Sequence, residues 1–118
     1  MPTNSSNPEI LLVDDDAFSR KMLQVMLQKA GYEVIEANNG REGLELYQNV
    51  LPALVLLDGK MPDMDGFDCC RQIRQLPGGK HTPILMVTGL DDPSHVDDAF
   101  TAGATDYITK PVKMPVLA

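Results

Sequence analysis

Three carboxylates stand in a row at Asp14, Asp15 and Asp16, directly after the apolar run "ILLV". A further carboxylate, Asp58, closes the run "ALVLLD", Thr88 closes "PILMVT", and Lys110 follows "TDYIT". Neighbouring carboxylates repel one another unless they are solvated, used as helix caps, or neutralised by a cation. Solvated caps and a hard-metal site are both open to Asp14–Asp16. The choice turns on whether the other polar groups converge on the same place.

The elements that would position them are marked by periodicity. "EILLV", "EVIEA", "ALVLLD", "PILMVT" and "TDYIT" have strand length, and between them lie "AFSRKMLQVMLQKA", "GREGLELYQNV", "GFDCCRQIRQL" and "SHVDDAFTA". In these longer stretches apolar residues recur at helical spacing, for example Phe18, Met22, Val25 and Met26. Gly31 and Gly103 each stand where a helix needs a left-handed closing residue. Asn39 with Glu42 predicts a capping box, and Asp92-Pro93 predicts a cap followed by a first-turn proline. Strands joined by helical crossovers pair in parallel, and near-continuous apolar strands suit a sheet covered on both faces.

A parallel sheet brings every strand's carboxyl end to one edge. Asp14, Asp15, Asp58, Thr88 and Lys110 would then share that edge. Oxygen ligands without sulfur or imidazole suit magnesium and disfavour zinc. A carboxylate beside a metal, a hydroxyl and an ammonium can attack a phosphoryl group and become an aspartyl phosphate. Taken singly, Asp58 reads as a helix-entry or loop carboxylate, Thr88 as a β-branched strand residue, Lys110 as a surface lysine and Tyr107 as packing. Asp16 reads as a cap or a solvated charge.

The bulk composition narrows the function classes. A chain of 118 residues suits one domain. Its formal net charge of −7 disfavours a nucleic-acid phosphate partner, which needs clustered Lys and Arg. No apolar run approaches the roughly 20 residues that span a bilayer, and "MPTNSSNPE" lacks the features of a signal peptide, so no membrane role is read and a cytoplasmic location is expected. Cys69 and Cys70, adjacent on a helical stretch, read as reduced thiols. Residues 1–8 read as a flexible tail. After the fifth strand "KPVKMPVLA" supplies little more than the first turn of the final helix that the alternation calls for.

"ILLVDDD", "VLLDGKMPDMDGF", "PILMVTG" and "AGATDYITKP" occur in order and resemble the four signature regions of the receiver domain of bacterial two-component response regulators. The resemblance runs from about Glu9 to Val112. It implies an α/β fold, a doubly wound, flavodoxin-like five-stranded parallel sheet of order 2-1-3-4-5, with residues 9–118 as the receiver domain and its last helix largely missing. It implies that Asp58 accepts a phosphoryl group from the phosphohistidine of a sensor histidine kinase or phosphotransfer protein. Asp15 and Asp58 would bind magnesium or manganese through their carboxylates, with the Lys60 backbone carbonyl as a further ligand and Asp14 acting through water. Thr88 would bond a phosphoryl oxygen and Lys110 would pair with the phosphoryl group. Tyr107 matches the switch aromatic whose position follows the Thr88 shift, and Lys110-Pro111 matches a bond commonly cis in the family. Such a domain is a regulatory phosphoacceptor with limited autophosphorylation and autodephosphorylation, acting through its fourth-helix and fifth-strand surface.

Departures from the family pattern flank the site. Gly59 replaces a larger residue and implies a looser loop, while Lys60 and Leu90 are expected to tune the lifetime of the phosphoryl group. "MPDMDG" predicts the turn into the third helix, with Met61 and Met64 packing and Gly66 a backbone requirement. The stretch around Cys69 to Asp92 and the closing "ITKPVKMPVLA" resemble receivers that precede diguanylate cyclase or phosphodiesterase modules. A homodimer through the fourth helix, fifth strand and fifth helix is one assembly the family offers. Three other classes compete. A haloacid dehalogenase-type phosphatase would use Asp14-x-Asp16, but Phe18 stands where that family prefers Thr or Val. A flavodoxin-like cofactor carrier would need small or glycine residues where three acids stand. A receiver that binds partners without phosphorylation would not need all the key positions filled.

Overall fold

Each residue of "ILLV" is buried, and alternate side chains leave opposite faces of the strand, so both faces of the sheet must be covered. β1 (Glu9–Val13), α1 (Ala17–Lys29), β2 (Glu33–Ala37), α2 (Gly40–Val50), β3 (Leu54–Asp58), α3 (Gly66–Gln75), β4 (Ile84–Thr88) and β5 (Asp106–Thr109) follow one another along the chain. They are seen in a computed structural model that describes residues 8–59, 61, 64–88 and 102–109, with the main chain alone at Thr88 and Thr109. All four strand pairings are parallel and the order is β2-β1-β3-β4-β5, as the sequence implied.

One face carries Ile10, Leu12 and Leu56 against Leu23 and Leu27 of α1. The other carries Leu11, Val13, Val55, Leu57, Ile84 and Met86 against Tyr47 of α2 and Phe67, Cys70 and Ile73 of α3. This division explains why the strands read as unbroken apolar runs. It also resolves α1, which carries two apolar stripes. Leu23 and Leu27 face the sheet, whereas Phe18 and Met22 are 73% and 47% exposed.

The helix ends follow their sequence signals. Asp16 caps α1, accepting the Phe18 N–H, and Ala30 closes it ahead of Gly31 at φ 99°. Asn39 caps α2 by accepting the Glu42 N–H at 2.8 Å, while the Glu42 carboxylate reaches back to the Asn38 N–H at 2.7 Å, one residue before the cap. Gly103 has φ 100°. Pro8, read from the sequence as the end of the tail, accepts the Glu33 N–H at 3.0 Å and so prolongs the β1–β2 pairing. The expected helix "SHVDDAFTA" up to Thr101, the Asp92-Pro93 cap, Leu90, the Lys110-Pro111 bond and the final turn lie outside the described residues.

Candidate functional site

Strand register sets the site. Val13 pairs with Leu57, so Asp14 leaves β1 beside Asp58, the last residue of β3. Asp58 pairs with Val87, which puts Thr88 one residue farther toward the carboxyl edge, and Thr88 pairs with Thr109. Asp14, Asp15 and Asp58 come together there, each offering a carboxylate oxygen within 4.8 Å of the others. Asp14 and Asp58 are buried and Asp15 is exposed. At that separation two ionised carboxylates repel by on the order of 3 kcal/mol at an effective dielectric of about 20.

The β1–α1 loop is held residue by residue. The Asp14 N–H continues the ladder to the Ala37 carbonyl at 3.1 Å, and Asp14 Oδ1 accepts the Asp16 N–H at 2.9 Å. Asp16, the third acid, turns to cap α1 and takes no place in the cluster. This separates the roles that the sequence left open among the three acids.

The chain after Asp58 is equally constrained. Gly59 donates to the Val87 carbonyl at 3.1 Å and its own carbonyl accepts the Gly66 N–H at 3.1 Å. The main-chain N–H and carbonyl of Gly59 are thus both hydrogen-bonded, while residues 60, 62 and 63 of the loop expected to be looser lie outside the described residues. Asp65 caps α3 by accepting the Asp68 N–H at 2.9 Å. Met61 is buried, and Met64 packs on the core edge beside Gly40, as their apolar character implied.

Tyr107 lies on β5, half-buried, and packs against the cluster that carries α2 and α3. Lys60 and Lys110 lie outside the described residues. Cys69 and Cys70 are both free and buried. Burial pushes the Cys69 thiol up to about 12, with Cys70 adding to the rise. Burial also raises Cys70, against the lowering influence of Arg74 and Arg71. Neither thiol has the low pKa of a reactive cysteine.

Arg20 is a site neighbour that the sequence reading passed over. Its Nη1 donates to the Asp14 carbonyl at 2.7 Å and its Nε to Glu36 Oε1 at 3.2 Å. The signal was available: helical side chains lean toward the N-terminus, and Arg20 sits one turn after the cap, over the acid loop.

The donor set fits a hard divalent cation. All three groups offer oxygen, two are held by strand ends, and the arginine is engaged elsewhere, leaving the carboxylates uncovered by it. A magnesium ion bound here would offset the mutual repulsion and take phosphoryl oxygens as further ligands.

The chain belongs to the response regulator receiver domain family, whose family model matches residues 10–118. It is 42% identical over 104 residues to the chemotaxis protein CheY of Thermotoga maritima, covering 86% of this chain and 84% of that protein. Against the transcriptional regulatory protein AfsQ1 of Streptomyces coelicolor it is 37% identical over 110 residues, covering 93% of this chain and 48% of that protein. The chain likewise spans 39% and 41% of the length of two ycf27 regulators that it matches. Among solved structures it is similar to the receiver domain of the sensor histidine kinase PA1611 of Pseudomonas aeruginosa, which holds a magnesium ion in its active-site cleft. That likeness has a TM-score of 0.88 at 28% identity, covering 95% of this chain and 92% of that one.

Proposed function

We propose that this receiver domain is switched by transfer of a phosphoryl group to Asp58. The donor is the phosphohistidine of a sensor histidine kinase or phosphotransfer protein: an Asp58 carboxylate oxygen forms the new P–O bond, the P–N bond breaks, and the imidazole leaves. Magnesium or manganese would supply charge neutralisation, with Asp15 and Asp58 as carboxylate ligands and the Lys60 carbonyl as a backbone ligand. Asp14 suits an indirect part through water, since one of its oxygens already accepts the Asp16 N–H.

Thr88 would bond a phosphoryl oxygen, a role supported by its register one residue beyond the Asp58 partner. Lys110 would pair with the phosphoryl group, and Tyr107 would move with Thr88 to remodel the fourth-helix and fifth-strand surface. Phe18 and Met22, exposed on the helix that begins beside the acid loop, offer the donor protein an apolar foothold. Limited autophosphorylation and autodephosphorylation, a cytoplasmic setting and a covalent output of the cyclase or phosphodiesterase kind belong to the same proposal. Among the described residues, no helix is long and apolar enough to cross a membrane.

The observation that carries this reading is the convergence of the Asp14, Asp15 and Asp58 carboxylates at the end of β1 and β3. Intact-mass analysis after acetyl phosphate plus magnesium tests it. Wild type should gain one phosphoryl group and Asp58→Asn none. A folded wild type that gains no phosphoryl group, and forms no adduct with beryllofluoride, would instead indicate a receiver that binds partners without phosphorylation.

A further inference from the structure

We propose that Arg20 is a positioning residue for the metal-binding loop, holding Asp14 in place through its main chain while leaving the carboxylates to the cation. Its guanidinium spans two elements. Nη1 donates to the Asp14 carbonyl at 2.7 Å and Nε to Glu36 Oε1 at 3.2 Å, so α1 is tied to the end of β1 and to the neighbouring strand β2. The Arg20 N–H also donates to the Asp16 carbonyl at 2.9 Å, which fixes the turn that bears the side chain.

With these bonds, the Asp14 residue is held at three points. Its N–H meets the Ala37 carbonyl, its carbonyl meets Arg20, and its Oδ1 meets the Asp16 N–H. The flanking Asp15 carboxylate therefore starts from a fixed main chain. A guanidinium bonded directly to Asp14, Asp15 or Asp58 would compete with a divalent ion for the same oxygens. Arg20 instead places its two donors on a neutral carbonyl and on Glu36, outside the cluster. The planar fork makes both bonds from one side chain, which the single ammonium of lysine does not reproduce.

Two influences on metal affinity oppose each other. The positive charge near the cluster repels a cation, whereas ordering the ligands before binding favours it, as for groups that orient metal ligands in general. The three-point hold on Asp14 makes ordering the dominant one. The inference rests on the metal site proposed above and is separable from it.

The test is a calorimetric magnesium titration of the full chain as wild type, Arg20→Gln and Arg20→Lys, each melted in parallel without metal. Arg20→Gln should bind magnesium about tenfold more weakly. Arg20→Lys, which keeps the charge and loses the fork, should fall between the two. If Arg20→Gln matches wild type or binds magnesium more tightly, the ordering supplied by the fork does not govern affinity and the inference is overturned. Lower melting temperatures with unchanged affinity overturn it too, because they describe a structural brace only. Should Arg20→Gln fail to fold, Arg20→Lys decides. A folded wild type that binds no magnesium refutes the metal site itself, and the inference with it.

Discussion

Gly66 lies so close to the main chain of Asp58 that a Cβ on residue 66 would stand 1.9 Å from the Asp58 carbonyl oxygen. The first residue of α3 is thus seated on the last residue of β3. Its N–H donates to Gly59, the next residue along, at 3.1 Å. Gly66→Ala gains at most about 1 kcal/mol of helix propensity, and forcing a methyl into filled space costs typically 1–3 kcal/mol, more against backbone. The clash should win. We expect net destabilisation of about 2 kcal/mol in urea denaturation, together with slower phosphorylation of Asp58 by acetyl phosphate. A variant as stable and as reactive as wild type would show that α3 shifts without disturbing the site.

How far this arrangement was legible in the sequence depends on the kind of signal. Alternating strand and helix periods gave the eight described elements, and the parallel sheet followed from the crossovers. Asp14, Asp15 and Asp58 were legible because their places at strand ends are fixed once the sheet is parallel. The orientation of α1 was not, because Phe18, Met22 and Val25 make a stripe as regular as that of Leu23 and Leu27. Periodicity identifies a helix; the fit of leucines against Ile10, Leu12 and Leu56 decides which side is buried. Arg20 escaped notice for another reason. Its partner is a carbonyl, a group every residue has.

The same blindness applies to Arg74 at the opposite end of the sheet. Its guanidinium donates to the carbonyls of Gly79 and Thr82 at 2.6 Å each and of Gly103 at 2.8 Å, and to Thr105 Oγ1 at 3.3 Å. It therefore joins the end of α3 to the loop before β4 and to the turn before β5. Arg74→Ala leaves three carbonyls without this donor and should cost about 2–4 kcal/mol. Arg74→Lys should recover less than half, since one ammonium cannot span the same acceptors. Urea denaturation of both variants checks this, and near-complete recovery by lysine would show that charge matters more than the fork.

Tyr47 adds a lighter tie at that end. Its buried ring packs in the core while its hydroxyl lies 2.5 Å from Thr82 Oγ1, linking α2 to the loop that Arg74 also holds. Tyr47→Phe keeps the ring and should cost about 1 kcal/mol, the usual net worth of a neutral hydrogen bond. If the shared loop couples the two ties, the double variant with Arg74→Lys will depart from additivity. A strictly additive double-mutant cycle would instead make them independent.

Cys69 gives stability a dependence on alkaline pH. Its thiol has a pKa raised from 9.0 to about 12, first by burial and then by Cys70. Below about pH 9 the folded and unfolded thiols both keep the proton, so this contribution is fully present. Between about 9 and 12 the unfolded thiol ionises while the folded one does not, and stability falls as pH rises. Cys69→Ala should be less stable at neutral pH, because it leaves a small cavity, yet lose stability less steeply above pH 9. Parallel pH-stability curves for the two proteins would remove Cys69 as the source.

Metal removal should invert the effect of neutralising Asp58. With a chelator present, the buried carboxylates of Asp14 and Asp58 stay close together without the added metal ion, and Asp58→Asn relieves part of their mutual repulsion at nearly constant shape. We expect the variant to melt about 4 °C above wild type there, the shift that about 1 kcal/mol produces in a domain of this size. Adding magnesium at about a hundred times its dissociation constant should stabilise wild type by about 2.7 kcal/mol. The variant lacks the carboxylate proposed as a ligand and should gain much less, so the order of melting temperatures reverses. Melting curves with chelator and then with magnesium contain both signs. A variant less stable than wild type in chelator would mean that Asp58 is held by bonds stronger than the repulsion it suffers.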